Sequence, residues 1–265
     1  MEGEAVKAIL SIDQGTTNTK AVLVSEAGDI AARAARPLAV HYPRPAWVEQ
    51  DAAALWTSVR EAVDACLAQR PDVDLAAVAV SNQRESVVAW DRATGTPVGP
   101  CVTWQCRRSA PLCERLAEAG RAETIHARTG LQLDPGFSAG KARWLLEHTE
   151  DGVARARDGA LCIGTVDSWV LWNLTGGAVH ATDTTNASRT QLMDLETRRW
   201  DPALTAWFGV PVEALPDIHP SGHLFGETIA MGALPGGVPV AALIGDSHGA
   251  LYGHAGFQPG AIKAT

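Results

Sequence analysis

Short apolar segments separated by polar turns dominate the first forty residues of the chain. Apolar runs over residues 8–13 and 21–24 flank a polar, glycine-containing segment, which predicts two strands joined by a turn. A third apolar stretch over 30–40 contains Pro37, and proline ends a strand or places it at the edge of a sheet. The chain is therefore predicted to open with a β-meander.

Helical spacing replaces this pattern after Asp51, a residue type that commonly caps the first turn of a helix. Apolar residues recur at helical spacing at Leu55, Val59, Val63, Cys66 and Leu67. The pattern predicts further helices over residues 109–119, 140–148 and 166–174. Asp201 followed by proline is typical of another helix start.

Further strands are predicted where apolar runs lie between turn residues, at 75–80, 86–90, 161–163 and 238–244. The last residues, 261–265, are predicted to begin another strand. Strands and helices alternate with no repeat or linker between them. The chain is therefore expected to form one mixed α/β domain with insertions.

Composition and charge narrow the classes of function. The 265 residues are 46% hydrophobic and 20% charged, which is typical of a globular protein and not of a disordered one. A net charge of −8 argues against a broad binding surface for nucleic acid or anionic membranes. No apolar run approaches the ~20 residues that span a membrane. With an acidic N-terminus and scattered cysteines, we expect a cytoplasmic protein.

The first candidate site is the polar segment DQGTTNTK, which starts at Asp13. Its glycine and lysine spacing matches neither the P-loop nor the dinucleotide-binding pattern. Gly15 would let the backbone approach a ligand closely, and Thr16 and Thr17 could donate hydrogen bonds to phosphate oxygens. Lys20 adds a positive charge, and Asp13 could bind Mg²⁺ directly or through water. A polar hairpin turn is the alternative interpretation.

Two other polar positions follow predicted strands. Arg84 and Glu85 come after the strand at 75–80, and a guanidinium beside a carboxylate offers donors and acceptors to vicinal hydroxyl groups. A surface ion pair is the alternative. Asp246 follows the buried run at 238–244, where a carboxylate could act as a general base. An N-cap aspartate would explain this residue equally well.

Taken together, these segments resemble the FGGY family of carbohydrate kinases, and most closely its glycerol kinase branch. The matching segments, in family order, are DQGTT at 13–17, WVEQD at 47–51, NQRE at 82–85, WQCRR at 104–108, GTVDSWVLWNLTGG at 164–177, TDTTNASRT at 182–190 and GD at 245–246. Each segment is short, but their number and order make the resemblance specific.

The resemblance implies the actin-like ATPase fold, a ribonuclease H-like α/β domain whose mixed sheet opens with the β-meander and carries helices on both faces. In this family two such domains close on a cleft that holds ATP and Mg²⁺ beside the sugar or polyol. Residues 1–258 are expected to form the N-terminal, acceptor-binding domain. Residues 259–265 are expected to begin a second, nucleotide-binding domain that is truncated or absent.

The resemblance also implies ATP-dependent phosphorylation of a hydroxyl group, with Asp246 as the catalytic base and with Asp13 and Asp246 as Mg²⁺-associated carboxylates. The residues implied on the nucleotide side are Asp13, Gly15, Thr16, Thr17 and Lys20. Those implied on the acceptor side are Arg84, Glu85, Trp104, Gly136, Asp246 and Ser247.

Three departures from the glycerol kinase pattern concern the acceptor. Gly136 stands where those enzymes typically have tyrosine, Ser247 where they have glutamine, and Cys106 where they have aspartate. Losing an aromatic hydroxyl and an amide removes polar contacts to a small triol and leaves more room. A larger polyol or a ketose is therefore favoured over glycerol as the acceptor.

Two other classes of function stay open. A catalytically incomplete half-molecule would bind a sugar or polyol without transferring phosphate, and on this interpretation the 265 residues alone are inactive. An actin-like ATPase without a sugar substrate would share the fold. We expect ATP and a small-molecule sugar or polyol as partners. A homo-oligomer is compatible with these interpretations, and we expect no binding to nucleic acid or to a membrane.

Overall fold

The computed structural model of the protein describes residues 6–264. Within that range the strands are β1 Val6–Gln14, β2 Asn18–Ser25, β3 Ile30–Pro37, β4 Glu49–Gln50, β5 Val73–Asn82, β6 Val87–Asp91, β7 Cys101–Val102, β8 Leu161–Thr165, β9 Ala181–Asp183, β10 Met193–Asp194, β11 Arg199–Trp200, β12 Asp217–His219 and β13 Val240–Gly245.

The helices alternate with these strands along the chain. They are α1 Ala52–Leu67, α2 Ala110–Glu118, α3 Ala122–Thr129, α4 Ser138–Glu147, α5 Gly152–Arg157, α6 Val166–Leu174, α7 Thr184–Ala187, α8 Pro202–Phe208 and α9 Asp246–Gly253, with a 3₁₀ turn at Val212–Ala214. The predicted helices are present, and their ends differ from the predicted ones by a few residues at most.

The first sheet has the strand order β13-β5-β1-β2-β3. Strands β1, β2 and β3 pair antiparallel in sequence order, so the predicted β-meander is confirmed. Pro37 is the last residue of β3, an edge strand, as expected for a residue that has no N–H to donate. Strands β5 and β13 add to β1 in parallel, which makes the sheet mixed.

The second sheet, with the order β4-β7-β6-β8, separates two hydrophobic cores. Alternate residues of β6 point to opposite faces. Val88 and Trp90 belong to the core that also contains α1 and α6, whereas Val87 and Ala89 belong to the core of α4 and α8. The sequence did not predict this second sheet, because two of its strands are only two residues long.

Helices lie on both faces of the first sheet, as the fold prediction required. On one face α1 and α6 pack against a core that includes Val80 and Leu243. On the other face α9 approaches the sheet closely, since a Cβ added at Gly249 would lie 3.3 Å from the Ile244 side chain and 3.7 Å from Ser81 Oγ. The mixed α/β architecture is therefore confirmed.

One predicted element is wrong in the described part of the chain. Residues 261–264 form no strand, and Thr265 lies outside the described residues. A short apolar run becomes a strand only when a neighbouring strand accepts its hydrogen bonds. Among the helices of residues 6–264, none has the length and hydrophobicity that a membrane span requires.

A buried carboxylate lies at the start of α6. Asp167 is fully buried and accepts hydrogen bonds from Thr165 Oγ1 at 2.5 Å and from Thr182 Oγ1 at 2.6 Å. Burial, with a smaller contribution from the nearby Asp183, raises the pKa of Asp167 to about 7. The folded protein therefore keeps a proton on this group at a pH where the unfolded chain has lost it.

Asp167→Asn should make the free energy of unfolding less dependent on pH. Between about pH 4 and 7 the native state binds the Asp167 proton more tightly than the unfolded state does, so its contribution to stability is lost as the pH rises. The neutral amide cannot titrate. As the pH rises across this range, the free energy of unfolding of the variant should therefore increase relative to that of the wild type, by at most about 1.4 kcal/mol per pH unit.

Urea unfolding at several pH values between 5 and 8 measures this difference. Asp74→Asn, which removes an equal charge from an exposed position of β5, is the control and should parallel the wild type. Parallel curves for Asp167→Asn and the wild type would show that Asp167 does not titrate as its burial implies.

Candidate functional site

The three parallel strands β1, β5 and β13 end side by side. Asn82 of β5 is paired with Gln14 of β1 on one side and with Gly245 of β13 on the other. The residues that follow each strand therefore meet at one edge of the sheet, and α/β proteins commonly bind ligands at such carboxyl edges. The three segments predicted from the sequence as separate candidate sites thus form one site.

The turn between β1 and β2 presents unused backbone donors. Gly15 N donates to Asn18 O at 3.0 Å and closes the turn. The amides of Thr16 and Thr17 donate to no protein acceptor within residues 6–264, so they are available to an anion. Lys20 Nζ lies 3.3 Å from Asp13 Oδ2, because register pairs these residues across β1 and β2.

Three buried glutamines, Gln14, Gln50 and Gln83, form a hydrogen-bonded cluster that contacts this turn. Gln83 Nε2 donates to the side-chain oxygens of Gln14 and Gln50, each at 3.0 Å. Gln50 Nε2 in turn donates to Thr16 O at 2.5 Å. The bond from Gln50 restrains the turn directly, and a satisfied buried polar network of this kind is rigid.

Trp104 connects the turn to Ser86, in the segment between β5 and β6. Its ring Nε1 donates to Thr16 Oγ1 at 3.0 Å, and its backbone N donates to Ser86 Oγ at 3.0 Å. Ser86 Oγ also donates to Gln83 Oε1 at 2.8 Å, which links Trp104 to the glutamine cluster. The ring remains exposed, so it can form a wall of the site.

Arg84 and Asp246 form the centre of the site. Arg84 Nε donates to Asp246 Oδ1, and Arg84 Nη2 donates to Ser247 Oγ, each at 2.8 Å. Within residues 6–264 Asp246 Oδ2 has no protein partner, and the side chain is 49% exposed. Asp246 is the first residue of α9 and Gly245 is its N-cap, so the N-cap interpretation of Asp246 is wrong.

Gly245 is required by the close approach of Arg84. A Cβ at this position would lie 2.6 Å from Arg84 Cδ, which is shorter than any ordinary contact. Gly245 N donates to Thr185 Oγ1 at 2.8 Å, and Thr185 Oγ1 donates to Asp183 Oδ2 at 2.7 Å. The residue before Asp246 is therefore held by backbone and side-chain contacts together.

Asp183 organises the polar layer beneath Asp246. Its carboxylate caps α7 and also accepts a hydrogen bond from Ser221 Oγ at 2.6 Å. Asn186, in α7, exchanges hydrogen bonds of 2.9 and 3.0 Å with Asn82 at the end of β5. Asp183 and Asn186 were not predicted as site residues, although both belong to the TDTTNASRT segment that carried the family resemblance.

Glu85 lies beside Arg84 but pairs with a different residue. Its Oε1 accepts a hydrogen bond from Arg189 Nε at 2.7 Å, and Oε2 has no protein partner within the described residues. Arg189 also lies over the Phe137 ring, 4.9 Å from its centroid. Arg84 and Glu85 are therefore not a surface ion pair with each other.

Gly136 lies close to the Trp104 backbone. A Cβ at Gly136 would come within 2.9 Å of Asp134 Oδ1 and 3.7 Å of Trp104 O. Gly136 N donates to Asp134 Oδ1 at 2.7 Å, which fixes the loop before α4. The structure thus brings every sequence-predicted site residue to one edge of the first sheet or to the loops beside it.

The donor set at this edge fits a magnesium ion that is shared with phosphate. Within residues 6–264 no group of three or more His, Cys, Asp or Glu side chains is placed to hold a metal ion. Asp13 and Asp246 are both partly exposed carboxylates near the ends of β1 and β13, the two parallel strands that flank β5. Mg²⁺ is commonly held by one or two carboxylates together with substrate phosphates, and these two residues suit that arrangement.

Known proteins resemble this chain in both sequence and structure. Residues 8–253 match the model of the N-terminal domain of the FGGY family of carbohydrate kinases. Apulose kinase of Pectobacterium atrosepticum is 49% identical over 259 residues, which cover 97% of this chain and 52% of that protein. Glycerol kinase of Rhodopirellula baltica is 45% identical over 264 residues, which cover 98% of this chain and 49% of that protein.

Among solved structures, glycerol kinase of Plasmodium falciparum with ADP has a TM-score of 0.93 and 30% identity, covering 97% of this chain and 52% of that one. Xylulose kinase of Rhodospirillum rubrum has a TM-score of 0.84 and 26% identity, covering 95% of this chain and 51% of that one. The chain thus spans about half the length of the relatives it matches. The predicted actin-like ATPase fold is confirmed, and the chain belongs to the FGGY family of carbohydrate kinases, matching the N-terminal domain of its members.

Proposed function

We propose that the protein containing this chain catalyses ATP-dependent phosphorylation of a hydroxyl group of a sugar or polyol. The observation that supports this most strongly is the Asp246 carboxylate, because Arg84 holds Oδ1 while Oδ2 is free of protein partners in the described structure. A fixed carboxylate with one free oxygen at a ligand-binding edge is suited to accept a proton from an alcohol.

In the proposed reaction the acceptor hydroxyl oxygen attacks the γ-phosphorus of ATP. The bond between that phosphorus and the β,γ-bridging oxygen breaks, ADP leaves, and Asp246 Oδ2 takes the hydroxyl proton. Arg84 keeps the carboxylate oriented through the hydrogen bond from its Nε to Oδ1. Positioning of this kind supplies much of the rate enhancement in phosphoryl transfer.

Thr16 and Thr17 are proposed to bind the transferring phosphate, since their amides have no protein acceptor in the described residues. Asp13 and Asp246 are proposed to hold Mg²⁺, which would neutralise negative charge on the phosphates. Gly15 gives the turn its close backbone approach, and Lys20 adds positive charge beside Asp13.

The acceptor is proposed to lie against Arg84, Glu85, Trp104, Gly136 and Ser247. Glu85 Oε2 and the Arg84 guanidinium can pair with neighbouring hydroxyl groups of one molecule. Because Gly136 has no side chain and Ser247 a short one, we propose a sugar or polyol larger than glycerol. The relatives include proteins named for apulose, glycerol and xylulose, so a panel should contain ketoses and branched sugars as well as glycerol.

Asp246→Asn should lower kcat by ~10²-fold or more, the usual scale for loss of a general base. The amide oxygen can still accept the Arg84 hydrogen bond, so the acceptor KM should change little. An assay coupled to ADP release, run on the active enzyme that contains this chain, measures both constants.

Asp72→Asn removes a carboxylate whose partner is Arg70, away from the site, and serves as the control. Wild-type turnover in Asp246→Asn would exclude Asp246 as the base. If the wild-type enzyme shows equally low rates on every sugar and polyol, and none of them changes its rate of ATP hydrolysis, an actin-like ATPase without a sugar substrate is favoured.

Gly245→Ala should lower kcat/KM for the acceptor by ~10-fold or more, because the new methyl group displaces Arg84 from Asp246. Gly253→Ala is the matched control in the same region, since a Cβ there meets no atom within 4 Å. Both variants should keep the wild-type circular dichroism spectrum. Equal kinetics for the two variants would show that the Arg84 position does not matter for turnover.

The 265 residues alone are proposed to bind the acceptor without completing the nucleotide site. This chain supplies the acceptor groups listed above and spans about half the length of its relatives. Calorimetric titration with the panel and then with MgATP measures acceptor binding and nucleotide binding separately. Strong MgATP binding by these residues would contradict the half-site interpretation.

A further inference from the structure

Lys141, in the first turns of α4, is a lysine that no solvent reaches, with an exposed fraction of 0%. Its Nζ donates to Glu85 O at 3.2 Å and makes a second, short hydrogen bond to Gly136 O. These two carbonyls belong to separate segments of the chain, and both segments border the acceptor side of the site. One side-chain nitrogen therefore ties the two segments together.

The Glu85 backbone needs such a restraint. Its φ of 63° lies in the left-handed region, which is strained for a residue with a side chain. Ser138 Oγ donates to the same Glu85 carbonyl at 3.2 Å, so two buried donors converge on one acceptor. This backbone geometry directs the Glu85 side chain toward Arg189 and leaves Oε2 unpaired within the described residues.

Burying an ammonium group is costly, and stability alone gives no reason to retain it. Burial lowers the pKa of Lys141 to about 7, against the smaller opposing effects of Glu85, Cys106, Cys101 and Asp134. Both of its described hydrogen bonds go to backbone carbonyls of the acceptor side. Its contacts therefore point to local geometry, and not to an ion pair, as the reason for this buried lysine.

We propose that Lys141 is a positioning residue that fixes the acceptor-binding surface by clamping the carbonyls of Glu85 and Gly136. It does not touch the acceptor, and it acts through the orientation of these two residues. This inference rests on the proposed kinase function and extends it, because it assigns acceptor affinity to a buried residue outside the surface that the substrate contacts.

Lys141→Met and Ser138→Ala test the clamp in the active enzyme. Methionine keeps the length of the side chain and removes the charge and the donors, so the acceptor KM should rise ~10-fold or more while the KM for ATP stays within about twofold. Ser138→Ala removes one neutral donor and should raise the acceptor KM about threefold. The double variant should resemble Lys141→Met, because both donors act on one carbonyl.

Lys7→Met is the control, since Lys7 is exposed near the start of β1, far along the strand from the site. An equal rise in both KM values, or a fall in kcat with an unchanged acceptor KM, would overturn the positioning role. If Lys141→Met does not fold, an unchanged acceptor KM in Ser138→Ala overturns it. If the wild-type enzyme phosphorylates no member of the panel, the proposed function fails, and the positioning role fails with it.

Discussion

The parallel pairing of β5 with both β1 and β13 is the constraint on which the rest of the structure depends. It places Gln14, Asn82 and Gly245 in one row, so the residues that follow these three positions meet at one edge. The segments are more than 60 residues apart in the chain, and only the sheet brings them together. A slip of one residue would turn each side chain of the moved strand to the opposite face and separate Arg84 from Asp246.

Beneath this edge the protein buries polar groups and satisfies them with one another. The glutamine cluster supports the turn at Thr16, and Asp183 with Asn186 supports Gly245 and Asn82. Buried networks of this kind are favourable only when each member is paired, and then they hold surface groups in fixed positions. The exposed carboxylate of Asp246 is therefore preorganised by buried polar residues beneath it.

The predictions from the sequence were correct where local chemistry decides structure. The β-meander, its end at Pro37 and the helix capped by Asp51 are all present, because alternation, proline geometry and N-capping act within a few residues. The strand predicted at 261–265 is wrong for 261–264, since hydrophobicity alone supplies no partner strand. The second sheet was missed because β4 and β7 depend on their neighbours and not on their own short sequences.

By itself the sequence determined the family, the α/β class and the residue types available for chemistry, since ordered short segments carry that information. Only the tertiary structure decided which atoms are free. It paired Arg84 with Asp246 and Glu85 with Arg189, left one oxygen of each carboxylate open within the described residues, and placed Lys141 against the carbonyls of Glu85 and Gly136. Hydrogen bonds depend on distances and angles of a few tenths of an ångström and a few degrees, and long-range packing fixes those values.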